Sequence, residues 1–375
     1  MLRILSIIGT RPEAIKMAPV VRKLRDYPGE IESVVCNTAQ HREILDQVLA
    51  SFGIVPDIDL DIMQPDQQLA ELTGRLLTAL ARTLRSVKPG LVLVQGDTTT
   101  VMAAALAAFY LRIPVGHVEA GLRTSNRYNP FPEEINRRVA SVVSSFHFAP
   151  TSAARDALLR EGVEAGSIFV TGNTVIDALH WMVRQPASTC TATLLQSLSV
   201  TPSNRLQTIL LTAHRRESFG EPFRRILLAV RTLVENNLDV QVVYPVHPNP
   251  NVQGPAHSIL GNCPRVHLIP PVPYDSFVHL IRSSYLVLTD SGGIQEEAPG
   301  LGKPVLVLRN ETERPEAIAA GTAKLVGDCP EKIVAHTELL LRDRSEYERM
   351  SRAVNPYGDG HAAERIVRVI RENLL

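Results

Sequence analysis

Three acidic residues in the first half of the chain occupy positions that suit acid–base chemistry. Asp97 closely follows the apolar residues 91–94, Glu119 directly follows 115–118, and Glu133 lies in a Pro-Glu-Glu triplet. If both apolar segments are parallel strands, their carboxyl ends lie at the sheet edge where α/β proteins bind ligands. Convergent carboxylates there predict proton transfer on a bound substrate. Any one of them could instead cap a helix or form an ion pair.

A second segment near the amino terminus has residues suited to binding an anion. Within residues 9–16, Pro12 fits the first turn of a helix. The amino terminus of that helix, together with Arg11 and Lys16, could hold a negatively charged group.

A glycine pair in the second half predicts a site for a nucleotide diphosphate. Gly292 and Gly293 follow Ser291 and allow backbone N–H groups to approach a phosphate where a helix begins. Glu297, one turn further on, could reach ribose hydroxyls, and Arg314 lies on the loop after the next strand. The Ser-Gly-Gly turn alone is weak evidence, because ordinary loops use the same residues.

Two of the eleven histidines follow strand-like segments. His214 precedes Arg-Arg-Glu, a neighbourhood suited to a diphosphate, whereas His247 lies between prolines and could do no more than shape its loop. No histidine has metal-ligand spacing to Cys or carboxylates, so no metal is predicted. The four cysteines lie far apart without a C-x-x-C pair, which argues against a disulfide framework.

Strand-like segments alternate with helical periodicity along the chain, which is typical of mostly parallel sheets covered on both faces. The predicted strands are 4–8, 33–36, 91–94, 115–118, 146–149, 208–211, 241–244, 266–269, 286–288 and 305–308. First-half helices are predicted at 15–25, 42–51, 68–85 and 100–111. The polar segment 185–207 is predicted to connect two α/β domains, with a short helix inside it. The last helix, about 362–373, could pack on either half.

Composition and motifs limit the classes of function. The 375 residues suffice for two domains. The 39 basic residues equal the 39 acidic ones, so no overall field would attract nucleic acid or an anionic membrane. Apolar runs are too short for a signal peptide or a membrane span, and a soluble cytoplasmic protein is predicted. Residues 358–363 fit G-x-G-x-x-A without a preceding strand, and the Asp-x-Asp patterns within 57–61 fit an edge strand better than a metal site.

Twelve strings occur in order along the chain: GTRPEAIKMAP, TAQHREILDQVL, GDTTT, IPVGHVEAGLRT, PEEINR, TGNTVIDAL, HRRESFG, YPVHPNPNV, TDSGGIQEEAP, GKPVLVLR, TERPEA and NPYGDG. Together they closely resemble the non-hydrolysing UDP-N-acetylglucosamine 2-epimerases, with only about 186–205 unmarked. The resemblance implies an α/β fold of two Rossmann-like domains facing a cleft, of the type also found in GT-B glycosyltransferases. It implies a first domain of 1–171 plus 362–375, with the catalytic carboxylates, and a UDP-binding domain of 172–361.

The resemblance also implies roles for individual residues. Asp97, Glu119 and Glu133 match the catalytic carboxylates of the family. Positions that contact the substrate or its diphosphate are matched by Arg11, Lys16 and His214, and we count His214 with the catalytic set. UDP is expected in the second domain, on Phe277 near the uracil and on Ser291, Gly292, Gly293, Glu297 and Arg314. No cofactor is expected, and the family usually forms a homodimer.

The implied reaction inverts C2 of the sugar. Because C2 is not next to a carbonyl, simple proton removal would leave no enolate to spread the charge. In the family, UDP leaves from C1 as a proton leaves C2, which gives 2-acetamidoglucal, and UDP then re-adds with proton delivery to the other face. A base, an acid and cationic groups for the diphosphate are required, and the sequence leaves open which carboxylate is which. The family implies a role in bacterial surface polysaccharide synthesis.

The chain departs from the family pattern in places. Val272 stands where some relatives have Gln beside the uracil. Relatives with a well-defined activator site have a second Gln and an Arg where this chain has Glu43 and Asp66. Gln40 and His41 remain, so they form a candidate activator site for UDP-N-acetylglucosamine.

Two other functions remain open at this point. A glycosyltransferase of the same fold would pass the sugar to an acceptor, but the first domain shows no apolar or basic patch for one. A silent nucleotide-sugar sensor would be expected to have lost at least one carboxylate, whereas all three are present.

Overall fold

The structure is a computed structural model that describes residues 1–38, 42–62, 67–124, 126–200 and 206–375, without the side chains of 42–44. The chain divides into two compact units. Unit 1 comprises Met1–Trp181 and Tyr357–Leu375, and unit 2 comprises Met182–Pro356. Within the described ranges, no helix combines the length and the apolar character that a membrane crossing requires.

Unit 1 is built on a parallel sheet. Its strands are β1 (Leu2–Ile8), β2 (Ile31–Asn37), β3 (Ile58–Asp59), β4 (Leu91–Gln95), β5 (Val115–Val118), β6 (Phe146–Ala149) and β7 (Ile168–Val170). The strand order is β3-β2-β1-β4-β5-β6-β7. The predicted edge strand within 57–61 is confirmed, because β3 pairs only with β2 among the described strands. β7 was not predicted from the sequence.

The helices of unit 1 cover the sheet in two groups. In chain order they are α1 (Arg11–Arg25), α2 (Arg42–Ser51), α3 (Leu69–Val87), α4 (Thr99–Tyr110), α5 (Glu133–Val143), α6 (Ser152–Arg160) and α7 (Thr174–Arg184), which continues into the first residues of unit 2. α1 contacts α2, whereas α4 contacts both α3 and α5. α4 is rich in small residues, and it packs in a core with the leucines of α3 and the side chains of β4.

Unit 2 repeats this plan. Its strands are β8 (Gln207–Thr212), β9 (Val240–Pro245), β10 (Val266–Ile269), β11 (Leu286–Thr289), β12 (Val305–Val307) and β13 (Ala323–Leu325), in the order β10-β9-β8-β11-β12-β13. All described pairs are parallel. The fold class predicted from the sequence, two Rossmann-like α/β domains of the GT-B type, is confirmed.

The helices of unit 2 are α8 (Thr189–Ser197), α9 (Glu221–Asn236), α10 (Pro250–Leu260), α11 (Tyr274–Ser283), α12 (Gly292–Gly300), α13 (Pro315–Ala319), α14 (Pro330–Arg342) and α15 (Arg344–Ser351). The short helix predicted within 185–207 is α8. It is more than a connection, because the Thr191 hydroxyl lies 2.7 Å from that of Ser276 and 3.0 Å from a carboxylate oxygen of Asp275, both on α11. Residues 201–205 of that segment lie outside the described ranges.

The last helix, α16 (Ala362–Leu374), belongs to unit 1, where it contacts α1. The unit boundaries differ from the expected 171/172 and 361/362. Residues 172–181 and 357–361 lie in unit 1 because hydrogen bonds hold the two segments together. Asp177 accepts the N–H groups of Ala362 and Ala363 at 3.2 and 2.8 Å, and the Asn173 N–H donates to the carbonyl of Tyr357 at 2.6 Å.

Candidate active site

Each sheet reverses its strand order at one place, and the predicted site residues follow the strands at these places. In unit 1 the reversal lies between β1 and β4, and in unit 2 between β8 and β11. Beyond the carboxyl ends of two such strands the following loops diverge to opposite faces, which leaves room for a ligand. Arg11 and Asp97 follow the unit 1 pair, and His214 and Ser291 follow the unit 2 pair.

In unit 1, Glu119 is the centre of a hydrogen-bonded cluster. Lys16 Nζ contacts Glu119 Oε1 and Oε2 at 2.6 and 2.7 Å. Oε1 also accepts from Asn173 Nδ2 at 2.8 Å, and Oε2 accepts from Gln95 Nε2. The Glu119 side chain is only 5% exposed and that of Lys16 19%. Both predicted residues are therefore held together in a largely buried ion pair, with donors from two further segments of the chain.

The backbone around Glu119 fixes its direction. Glu119 has a φ of 64°, in the left-handed region that non-glycine residues rarely adopt. Just before it, the buried His117 ring contacts the Gly96 carbonyl through Nε2 at 2.7 Å. Burial lowers the pKa of His117 to about 4, so the ring is neutral and donates this hydrogen bond. The contact ties β5 to the loop that carries Asp97.

Asp97 lies one strand away and pairs with a different cation. Arg137 Nη2 donates to Asp97 Oδ2 at 2.6 Å, and Asn136 Nδ2 donates to the Asp97 carbonyl at 3.0 Å. Burial raises the pKa of Asp97, the Arg137 charge opposes this, and the negative charges of Glu119 and Glu133 add to it. Three carboxylates predicted from the sequence therefore influence one another electrostatically.

The two acids of the Pro-Glu-Glu triplet have different environments. Glu133 begins α5 and is half-buried. Glu134 is fully buried, accepts from the Thr124 N–H at 3.1 Å and from Arg138 Nε at 2.9 Å, and lies 3.5 Å from Arg137 Nη1. Glu134 thus holds the preceding loop on α5, whereas Glu133 is partly exposed.

A further buried acid, Glu13, was not predicted as a site residue. It completes a capping box at the start of α1, where its Oε2 accepts from the Thr10 N–H at 2.9 Å and from the Gly9 N–H at 2.5 Å. Its Oε1 accepts from the Thr98 hydroxyl, next to Asp97. Burial raises the pKa of Glu13 to about 7. Arg11, the first residue of α1, is half-buried.

In unit 2, the loop after β8 is held by a buried acid after β11. Asp290 Oδ2 accepts from the backbone N–H groups of His214 and Arg215, both at 2.7 Å. The His214 ring stacks on the His247 ring with centroids 5.4 Å apart and an interplanar angle of 9°. Burial lowers the pKa of His214, and the negative charge of Asp290 opposes this. His247, left open by the sequence, lies directly against the predicted site residue.

The start of α12 carries the glycine pair and lies next to charged side chains. Ser291 is the N-cap residue, and its side chain makes no capping hydrogen bond. A Cβ added to Gly292 would lie 3.7 Å from Arg215 Nη2, 3.9 Å from Arg314 Cζ and 3.9 Å from Glu313 Oε2. Two guanidinium groups and the Glu313 carboxylate thus lie beside the amino end of the helix, which by itself favours an anion.

Arg314, the N-cap residue of α13, is held in place by an acid of α12. Its Nε donates to Glu296 Oε1, and the Glu296 side chain is only 3% exposed. The Arg314 N–H donates to the Thr312 hydroxyl at 3.1 Å. An added Cβ on Gly293 would lie 3.8 Å from Glu297 Oε1. Phe277, on α11, is half-buried.

Known proteins match the chain over nearly all of its length. The family model described as UDP-N-acetylglucosamine 2-epimerase matches residues 22–371. The chain is 54% identical to the UDP-N-acetylglucosamine 2-epimerase of Escherichia coli O157:H7, with 99% of each chain covered. It is also 54% identical to that of Bacillus subtilis strain 168, over 98% of this chain and 94% of the relative.

The chain belongs to the UDP-N-acetylglucosamine 2-epimerase family. It is therefore an isomerase. Among solved structures, it resembles the UDP-GlcNAc 2-epimerase of Neisseria meningitidis bound to UDP-GlcNAc with a TM-score of 0.90, at 49% identity, over 99% of this chain and 100% of the other. The family expected from the sequence is confirmed.

In this epimerase some of the expected site residues lie close together, and further residues form hydrogen bonds with them. Lys16 contacts Glu119 directly, and Asp97 is close enough to both to respond to their charges. Arg137, Asn173, Gln95, Arg215 and Asp290 were missed, because a hydrogen bond across 20 or more residues leaves no local pattern in the sequence.

Two further expectations concern the activator site and a metal site. Gln40 and His41 lie outside the described residues, as does Asp66, so the candidate activator site stays a prediction. In the described part of the chain, no group of three or more His, Cys, Asp or Glu side chains could hold a metal ion.

Proposed function

We propose that this epimerase interconverts UDP-N-acetylglucosamine and UDP-N-acetylmannosamine by inverting C2 of the sugar. The observation that carries the proposal is the Lys16–Glu119 pair with Asp97 nearby, at the carboxyl ends of neighbouring strands. This arrangement offers an acid, a base and a cation at one sheet edge, which is what proton removal and return at carbon require. The relatives that carry the substrate in their names support the choice of sugar nucleotide.

The proposed route is elimination followed by re-addition. A carboxylate removes the C2 proton while UDP leaves C1 with the electron pair of the C1–O bond, which gives 2-acetamidoglucal. UDP then re-adds at C1, and a carboxyl group delivers a proton to the opposite face of C2. Burial raises the pKa of Asp97, so this group is suited to carrying a proton. Glu119, which accepts from Lys16, Gln95 and Asn173, is suited to stay in place as its charge changes.

UDP is proposed to bind in unit 2. The amino end of α12, with Ser291, Gly292 and Gly293, would hold the phosphates together with Arg314 and His214. Glu297 would accept from ribose hydroxyls and Phe277 would lie against the uracil. Arg11 and Lys16 of unit 1 are proposed to contact the substrate as well. These roles follow the family resemblance, and the two guanidinium groups around Gly292 support them.

Four broader features belong to the same proposal. The epimerase would act in the cytoplasm as a homodimer, and its product would supply surface polysaccharide synthesis. UDP-N-acetylglucosamine would also activate it, through Gln40 and His41.

The activity is tested by incubating the chain with UDP-N-acetylglucosamine alone in D₂O and following the sugar by NMR. The proposal expects the manno epimer with deuterium at C2, and slow release of UDP and 2-acetamidoglucal. Full retention of the C2 hydrogen in the product would overturn the elimination route. A requirement for an added acceptor would favour the glycosyltransferase, and binding without turnover would favour the sensor.

A further inference from the structure

Asp290 is a fully buried acid that the proposed reaction does not use directly. One of its oxygens, Oδ2, accepts from the N–H groups of His214 and Arg215. The other, Oδ1, is buried without a hydrogen-bond partner among the described residues. An unsatisfied carboxylate oxygen in the interior carries a desolvation penalty. We therefore expect a donor to form a hydrogen bond with this oxygen in some state of the protein.

The ring of His214 is a donor close to this oxygen. Its Nδ1 lies 3.7 Å from Asp290 Oδ1, beyond a hydrogen bond but within one small rotation of the ring. Catalytic hydrogen bonds are often long in the absence of substrate and shorten when it binds. The ring cannot move far, because its backbone N–H is held by the same carboxylate and its face is stacked on His247.

We propose that Asp290 is the positioning residue of His214: its Oδ1 accepts a hydrogen bond from Nδ1–H and so directs Nε2 toward the diphosphate. This inference deepens the proposed function and rests on its placement of the diphosphate near His214. It concerns the loop after β8 and the acid after β11, which meet at the reversal of strand order in unit 2.

The pairing gives His214 two properties that a leaving diphosphate needs. With the proton on Nδ1, the neutral ring has a free electron pair on Nε2 that can take up a proton. Once protonated there, the ring becomes a donor to an anionic oxygen, and the Asp290 charge stabilises the imidazolium. Other charged or titratable groups that act on the ring are His247 and Arg215, which lower its pKa, and Glu217, which raises it.

The test is an NMR titration of His214 in the whole chain, with ¹⁵N-labelled histidine and without substrate. In the wild type we expect the neutral ring to carry its proton on Nδ1. In Asp290→Asn we expect that preference to be lost and the pKa of His214 to fall, because the negative charge that raises it is gone. With substrate, Asp290→Asn should lower kcat by roughly 10- to 100-fold with a much smaller change in KM.

Tyr244→Phe is the matched control. The Tyr244 hydroxyl donates to the Ala213 carbonyl at 2.5 Å, so its removal loosens the same loop without removing the carboxylate. It should leave the tautomer and the pKa of His214 unchanged. A wild-type His214 with its proton on Nε2 would overturn the proposal, and this measurement needs no variant to fold. An equal pKa shift in both variants would also overturn it, by showing a purely structural effect.

These outcomes separate the inference from the proposed function. The titration contains no sugar nucleotide, so its result stands whether or not the chain shows epimerase activity. Absence of turnover in the wild type would contradict the proposed function and leave the tautomer of His214 as a separate result.

Discussion

The two units share a strand order but differ in the chemistry at the place where that order reverses. In unit 1 this edge carries three acids, the buried Glu13 and Glu119 and the partly exposed Asp97. Backbone N–H groups and Thr98 donate to Glu13, Lys16 donates to Glu119, and Arg137 donates to Asp97. In unit 2 the edge has the amino end of a helix with guanidinium groups beside it. Asp290 accepts from the loop after β8, and Glu296 accepts from Arg314.

The difference shows how one architecture serves two tasks. In both units a buried carboxylate binds two successive N–H groups of the loop after the first strand, Gly9 and Thr10 in unit 1 and His214 and Arg215 in unit 2. This support is common to both. The side chains beside the loop differ between the units. Unit 1 has acids suited to proton transfer, and unit 2 has donors suited to an anion. Variants should therefore separate turnover from nucleotide binding.

The largest effect is expected from the acids of unit 1. Asp97→Asn, Glu119→Gln and Glu133→Gln should each lower kcat by about 10² to 10⁴-fold, the usual scale for a lost acid or base. UDP affinity, measured by calorimetry, should change little, because the proposed nucleotide site lies in unit 2. Glu164→Gln, at an exposed position of unit 1, is the control. Near wild-type turnover in any of the three variants would remove that residue from the mechanism.

The next largest effect is a decrease in the free energy of unfolding at acid pH, and it should be confined to unit 1. Burial lowers the pKa of His117 to about 4, so the folded ring stays neutral where an unfolded histidine gains a proton. The contribution of His117 to the free energy of unfolding is complete above pH 6.5. It decreases by about 3 kcal/mol as the pH falls to about 4. In His117→Gln the free energy of unfolding should depend less on pH over this range.

Trp181, the single tryptophan of the chain, lies in unit 1, so its fluorescence during urea unfolding reports on that unit. His257→Gln, at an exposed position on α10, is the matched control and should keep the wild-type pH dependence. An unchanged dependence in His117→Gln would show that His117 does not carry this effect.

A smaller effect is expected in unit 2. Glu297→Ala should weaken UDP binding on the order of tenfold, which is the loss of about 1.4 kcal/mol. Because glycal and UDP then part more readily, the ratio of released 2-acetamidoglucal to epimer should rise. Glu235→Ala, on the exposed face of α9, should change neither quantity. A lower ratio of released glycal would contradict the assignment of Glu297 to the nucleotide.

The smallest effect is expected from removing metal ions. The positive charge for the diphosphate would come from Arg11, Lys16 and Arg314 and from the amino end of α12. Turnover measured after exhaustive EDTA treatment should therefore equal that of the untreated protein. Restoration of lost activity by Mg²⁺ or Mn²⁺, but not by buffer alone, would favour a metal-dependent transferase.

Much of the fold and part of the site could be predicted from the sequence, for physical reasons. Buried parallel strands are apolar throughout, so runs such as 91–94 stand out, and the acids that follow them lie at the sheet edge by geometry. β13 gives no such signal, because Lys324 interrupts its three residues. The partners of the acids were missed because they depend on packing: Asn173 reaches Glu119 from 54 residues away, and Arg137 reaches Asp97 from 40.

The return of α16 to unit 1 bears on the order in which the chain can fold as it is made. α16 buries Ile366, Val367 and Ile370, and it packs on α1, which is synthesised first. At typical rates of synthesis, roughly 10 to 40 s separate Trp181 from α16. During that interval all residues of unit 2 are synthesised, while the apolar face of α1 that α16 contacts stays uncovered. Stalled nascent chains ending at Pro356 should therefore be cleaved by protease in unit 1 more readily than in unit 2, and uniform resistance would show that unit 1 closes without its last helix.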